Sequence, residues 1–338
     1  MHKNHKKLTS NYNTHLKIKQ MKKILLIAFL FFVSTFSMFS RDKEYYKKLS
    51  VPVVEKDTVS RIAVVSAFDN ELAKLLDSLD ISSKAIVNGR TLWLGTLKGH
   101  KVILLLSGYS IVNATMTTEA LLDRFKIKAI VFSGIAGGVN PDLKVGDVTV
   151  AAQWGNYQEQ RFARKTETGW DAGRSKQTFP NYDMMFPTNS SVARVGLTPD
   201  SLESRFWFPV DSSLLAVAKT LSKDIPLKRC VNDKDCLDHQ PNLVVGGNGV
   251  SGPTFVDNAE YRTYVWNTFH ADALDMETAA VAFVSYVHRV PFIAFRSLSD
   301  LAGGGPGKNE GRTFGKLAAE NSATVVLSYL SKLPSLKK

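Results

Sequence analysis

Short, almost wholly apolar runs recur through residues 61–335 with helical patterns between them, and this alternation most restricts the fold. Ile62–Ser66 (I-A-V-V-S) reads as a strand buried on both faces, because neither side offers water a polar position. A helical pattern follows at 71–79. Further strands are predicted at Thr91–Leu94, Val102–Leu106, Ala129–Ser133, Asp147–Ala151, Leu243–Val245 and Phe292–Phe295. Helices are predicted at Val112–Arg124, Asp211–Leu221, Asn258–Phe269, Met276–His288 and Phe314–Leu333. Such alternation calls for a layered α/β fold with a largely covered sheet. Between Gln153 and Gln240 the pattern gives way to polar, aromatic-rich sequence with Trp154, Trp170 and Trp207. A connection that long is either functional or partly disordered. With no internal repeat, the two flanks are read as one domain, 61–335, with an insert at 153–240.

Charge has to be read by region. The formal net charge is +12, but residues 1–40 hold seven lysines and no acid, and removing those seven leaves +5. That is ordinary for such a body, and no aromatic-interleaved basic stripe suggests nucleic acid. Met21-Lys22-Lys23, the apolar run Ile24–Val33 and the small residues Ser34, Thr35 and Ser37 form a signal-peptide pattern. The run is short for a bilayer span, which needs about 20 residues; an uncleaved anchor is the alternative. Residues 1–20 then read as an extension upstream of a true start at Met21, and 41–60 as a charged linker. Export, periplasmic or secreted, would let Cys230 and Cys236 pair in a small loop. A metal reading of these cysteines fails, because His239 is near but no second C-x-x-C or histidine pair accompanies it.

Two acidic residues stand out against apolar surroundings. Glu277 opens a run, Ala279–Val287, with almost no polar residue, and Asp300 closes P-F-I-A-F-R-S-L-S-D. Buried carboxylates are costly without a partner or ligand, and two at the ends of neighbouring elements suggest a site. Other residues are ambiguous taken alone. Glu71 fits a solvated helix start. Arg296 is either a buried counter-ion or an edge residue, and Asp275 suits a helix cap. The glycines of S-G-I-A-G-G (133–138) allow close backbone approach to a ligand, or simply make a turn. Their spacing is not that of a dinucleotide fingerprint. The 303–307 glycine cluster is no P-loop either, since Ala302 and Asn309 stand where Gly and Ser or Thr belong.

Taken in order, S-A-F-D-N-E (66–71), S-G-I-A-G-G (133–138), P-D-L-K-V-G-D (141–147), V-S-G-P-T-F (250–255), L-D-M-E-T-A (274–279) and R-S-L-S-D (296–300) resemble the purine nucleoside phosphorylase and nucleosidase superfamily. Within it the chain looks most like methylthioadenosine/S-adenosylhomocysteine nucleosidases. The stretch from Leu237 to Gly305, and the aromatic insert, also resemble the exported plant bark or vegetative storage proteins. The resemblance implies a three-layer α/β/α sandwich on a central mixed sheet, no cofactor or metal, and a homodimer. By the same resemblance Asp300 protonates purine N7, Glu277 receives the ribose hydroxyls, and Met276 packs on the sugar. Glu71 polarises the attacking water, Phe255 stacks on the base, and backbone near Val256 reads its edge. Arg296 serves the carboxylates, and Ile135, Gly137 and Ser299 complete the binding set. Carboxylates around a sugar that gains positive charge, with an acid at the departing base, make coherent physics.

Departures from the family pattern bear on the nucleophile. No Gly-Asp-Pro-x-Arg phosphate loop is present near 66–71, and Ile135 stands where a hydroxyl residue often helps hold the anion or water. Both favour hydrolysis. The aromatic closing the alkylthio pocket is not clearly placed, with Phe314 the nearest candidate. The rivals are phosphorolysis on the same fold and a non-catalytic storage or nucleoside-binding protein. Joint retention of Glu71, Glu277 and Asp300 argues against the second rival.

Overall fold

The computed structural model describes residues 57–173, 177–221 and 225–334. The signal-peptide segment and nearly all of the expected linker lie outside them. Among the described residues regular structure begins at β1 (Asp57–Ser66), ahead of Arg61. Arg61 reaches back to Asp57 (Nη2–Oδ2 3.0 Å), and the Val59 N–H donates to Asp57 Oδ1, so these charged residues form strand rather than linker. The chain continues through α1 (Asp69–Asp77), β2 (Asp80–Val87), β3 (Arg90–Leu97), β4 (His100–Leu106), α2 (Ser110–Arg124) and β5 (Phe125–Gly138).

β5 carries the fold. Its first half lies between β1 and β18 (Phe292–Asp300), parallel to both. Its last residues pair antiparallel with β17 (Ala271–Asp275). The S-G-I-A-G-G stretch is therefore strand, not turn: Gly134 to Gly137 face Arg296 to Asp300 across the ladder. β18 likewise runs on through Asp300, and all nine of its residues are buried. The sheet order is β14-β7-β16-β17-β5-β1-β4-β3-β2, where β7 is Gln153–Asn156, β14 Trp207–Pro209 and β16 Asn248–Ser251. The strands β6 (Val148–Val150) and β15 (Leu243–Val245) attach beside β18. Parallel and antiparallel pairs make the sheet mixed.

Helices pack in two groups. α1, α3 (Ser212–Lys219) and α6 (Gly311–Lys332) form one; α2 and α5 (Thr278–His288) form the other. The result is an α/β/α sandwich. The amphipathic α1 buries Leu72 and Leu75 together with Glu71, so one carboxylate is carried inward with the apolar face.

The 153–240 insert is part of this body. Its first strand, β7, pairs with its late strand β14 and joins the sheet through β16. Short hairpins occupy the stretch between. Phe179 and Phe206 of the insert pack on Phe269 at the end of α4 (Ala259–Phe269), with ring centroids 5.0 and 5.3 Å away. Cys230 and Cys236 are bonded to each other. His239 beside them bonds Asp238 and the Val145 carbonyl.

Candidate functional site

The site lies where β1, β5, β17 and β18 end. A cleft of about 710 Å³, part of it open to solvent, lies there. It is lined by Glu71, Ile135, Gly137, Phe255, Val256, Met276, Glu277, Ser299 and Asp300, together with Phe68, Tyr109, Ala136, Thr254, Leu274 and Asp275. Apart from Phe314, every cleft residue expected from sequence is thus brought to one place. Arg296 lies directly behind them.

Arg296 organises the floor. Its side chain is fully buried and faces three carboxylates: Asp275 (Nε–Oδ2 2.7 Å), Glu71 (Nη1–Oε1 3.6 Å) and Glu277 (Nη2–Oε2 3.7 Å). Its guanidinium also lies 4.1 Å from the Phe132 ring centroid. Of the two sequence readings of Arg296, the counter-ion holds. Asp275 does cap α5, accepting from the Glu277 and Thr278 N–H groups at 3.1 Å, but it is also the closest anion to Arg296.

Glu71 is held from both sides. Oε2 accepts from the Ala67 N–H (2.6 Å) and Oε1 from the Ile135 N–H (2.8 Å). Burial nonetheless raises its pKa, with Arg296 and these amides opposing. Glu277 accepts from the Ser110 N–H at 2.7 Å, and burial, against Arg296, pushes its pKa up to about 7. Ser110 takes a left-handed φ of 73°, strain that the turn after β4 maintains while aiming that N–H at the carboxylate. Asp300 accepts from Ser299 Oγ (2.7 Å), from the Ala302 N–H (2.9 Å) and from Asn309 Nδ2 (3.4 Å). Burial raises its pKa as well. A carboxyl poised above its ordinary range is suited to proton donation.

The glycines of β5 make room for side chains rather than only for a ligand. A Cβ on Gly134 would fall 1.8 Å from Arg296 Nη1 and 2.6 Å from Glu71 Oε1. One on Gly137 would sit 3.2 Å from Asp300 Oδ1. At the cleft mouth Phe68 and Tyr109 stack, with centroids 5.3 Å apart. Phe255 stands on the rim, 64% exposed. Sequence reasoning missed Phe68, Tyr109, Gly134 and the aimed amides of Ala67 and Ser110. A Gly-Tyr-Ser turn directly after the buried strand β4 was the available signal. Phe314 packs with Leu301, Val145, Leu237 and Leu317 instead of lining the cleft. It is anchored in that cluster by its place on the first turn of α6.

Residues 61–331 match the family model described as the phosphorylase superfamily. A 5′-methylthioadenosine/S-adenosylhomocysteine nucleosidase of Bacillus thuringiensis (strain Al Hakam) is 31% identical over 245 residues, which cover 72% of this chain and 87% of that protein. The S-adenosylhomocysteine nucleosidase of Streptococcus pyogenes, solved with 5-methylthiotubericidin, aligns with TM-score 0.59 and 25% identity, covering 82% of this chain and 98% of that one. The 5′-methylthioadenosine/S-adenosylhomocysteine nucleosidase of Helicobacter pylori aligns with TM-score 0.59 at 24% identity over 82% and 100% of the two chains, a likeness of fold.

Proposed function

Since this chain belongs to the phosphorylase superfamily, with the match spanning residues 61–331, we propose that it hydrolyses the N-glycosidic bond of a purine nucleoside of the methylthioadenosine/S-adenosylhomocysteine type. The products are the free base and a free, 5′-substituted ribose. The observation that carries this reading is the set of three buried carboxylates, Glu71, Glu277 and Asp300, around one cleft, with the Arg296 guanidinium behind it shared among carboxylates. Asp300, its pKa raised by burial, gives its proton to purine N7 and turns the base into a neutral leaving group. Positive charge grows on the sugar as the bond breaks. Glu277 and Glu71 stabilise it, Glu277 through the ribose hydroxyls and Glu71 through the attacking water. Met276 packs on the sugar, Phe255 on the base, and the main chain at Val256 meets the base edge. Ile135, Gly137 and Ser299 complete the walls, and Arg296 holds the carboxylates in place.

Water rather than phosphate is the nucleophile in this reading. A phosphate dianion in a dry cleft needs Lys, Arg or several aimed N–H groups. Among the described residues no lysine or arginine lines the cleft. Incubation of the purified protein with methylthioadenosine, S-adenosylhomocysteine, adenosine and inosine, with and without phosphate, tests both parts. Base release at a phosphate-independent rate is expected. A pentose 1-phosphate as main product refutes hydrolysis.

The protein is further read as exported and homodimeric. The Met21-led signal pattern and the Cys230–Cys236 bond support export, since disulfides persist in oxidising compartments. Among the described residues no helix is long and apolar enough to cross a membrane. On α2, Val112 (76% exposed) and Met116 (47%) stand beside Tyr109 as an apolar strip that a second copy would cover. Light scattering and terminal mass spectrometry of protein from its host decide these points.

A further inference from the structure

Asp300 and the wall segment that follows Phe255 and Val256 are joined by one side chain that does not line the cleft. Asn309 Nδ2 lies 3.1 Å from Asp257 Oδ1 and 3.4 Å from Asp300 Oδ1, while its Oδ1 accepts from the Gly311 N–H (2.9 Å) at the start of α6. The intervening turn, rich in glycine, lies flush on the same segment. The Asn258 N–H donates to the Ala302 carbonyl, and a Cβ on Gly303 would fall 2.3 Å from Asn258 N.

We propose that Asn309 is a positioning residue for Asp300, holding Oδ1 of the acid as a hydrogen-bond acceptor and coupling the acid to the base wall through Asp257. The proposal rests on the reading of Asp300 as proton donor. Oδ1 already accepts from the Ala302 N–H, and with Asn309 it faces two donors, so the transferable proton resides on Oδ2. The Ser299 hydroxyl, which donates to Oδ2, also lies 3.3 Å from the Ala136 carbonyl, and turning its proton there leaves Oδ2 to carry the acid proton. In the reaction the Asp300 O–H bond breaks as the base N–H bond forms. The electron pair of the glycosidic bond leaves with the base, water supplies the sugar hydroxyl, and its released proton restores the acid.

Loss of the Asn309 donor has a definite sign. A hydrogen bond given to a carboxylate favours the ionised form, so removing it raises the pKa of Asp300. The acid must be protonated to act, so the alkaline limb of kcat/KM moves to higher pH. The charged groups around Asp300 are Glu310 beside Asn309, Asp257 on the wall segment, Arg262 of α4 against Gly304, and Arg296 with Glu71 and Glu277 across the floor. Asn309→Ala changes none of these charges, although it frees Asp257 from the Asn309 amide.

The test compares pH profiles of wild type, Asn309→Ala and Asn309→Asp on methylthioadenosine, with thermal unfolding alongside. Asn309→Ala is expected to lose about tenfold in kcat, the size of one hydrogen bond, with KM within about twofold. Its alkaline limb should move up by roughly half a unit or more. Asn309→Asp keeps the acceptor for Gly311, loses the donor and adds a like charge, so its limb should move further. It also decides the matter should the Ala variant fail to fold. A wild-type limb in Asn309→Asp, or a fall in activity tracking only thermal stability, overturns the proposal while the nucleosidase reading stands. A wild-type protein that cleaves no nucleoside overturns both.

Discussion

Replacing Gly134 by alanine should dismantle the site from behind, by one methyl group. Gly134 pairs with Arg296 in the β5–β18 ladder, and its φ lies outside the left-handed region, so alanine carries no backbone strain there. The whole cost is spatial. The new Cβ would stand 1.8 Å from Arg296 Nη1 and 2.6 Å from Glu71 Oε1, where ordinary contact begins near 3.4 Å. The guanidinium must therefore retreat by about 1.5 Å. It has nowhere to go, with Phe132 across its face and Asp275 2.7 Å from Nε. Breaking a buried ion pair costs about 3–5 kcal/mol, and overpacking alone about 1–3 kcal/mol. At about 2–4 °C per kcal/mol for a chain of this size, Tm should fall by roughly 10 °C or more. Base release should fall with it, because Glu71 is displaced by the same methyl. Gly315 on α6 provides the contrast. A Cβ there meets nothing nearer than Ile135 Cδ1 at 4.0 Å, so Gly315→Ala should gain up to about 1 kcal/mol from helix propensity. Differential scanning calorimetry with a base-release assay reads both variants. A Gly134→Ala protein with wild-type Tm and kcat would refute the packing described here.

Asp300→Asn should cost about 10²–10⁴ in kcat with Tm little changed, the usual loss for a general acid; wild-type turnover would remove Asp300 from that role. Glu71→Gln should lower kcat with modest change in KM, since the water it orients is engaged mainly in the transition state, and an effect confined to KM would contradict this. Glu71, Glu277 and Asp300 are all raised by burial, so the folded state binds more protons than the unfolded chain in the window from the ordinary carboxylate range up to their raised values, about pH 7 for Glu277. Their contribution to stability is therefore full at low pH and lost as pH rises through that window. Glu277→Gln should flatten the fall in Tm between pH 5 and 8, and an unchanged slope would show that Glu277 ionises normally.

The carboxylates were legible because acids in apolar runs are anomalous, and because six short motifs stand in family order. What escaped was non-local. β17 (A-D-A-L-D) carries two aspartates in five residues and has no strand pattern of its own. Yet all five are buried, because β16 and β5 flank it. Asp275 shows its cap in the sequence, whereas its bond to Arg296 comes only from the meeting of β17 with β18. Gly134 was visible as a glycine, but its reason, the arginine that passes over it, lies 162 positions along the chain. The insert concealed its contribution in the same way, since β7 and β14 are short and acquire their place only by pairing with each other and with β16.

That pairing sets how the sheet ends. An unpaired strand edge is a template for other chains, and among the described residues the main path of this sheet ends in two, with β15 on the side branch a third. On one rim stands β14, three residues long and finishing in Pro209, which has no N–H to offer an incoming strand. On the other, β2 exposes Asp80, Ser82, Ser83 and Lys84, but also Ile81 and Ile86, before its single buried position at Val87. The rim that the insert supplies, at β14, thus offers an incoming strand little to bond, whereas the β2 rim mixes polar groups with two exposed isoleucines.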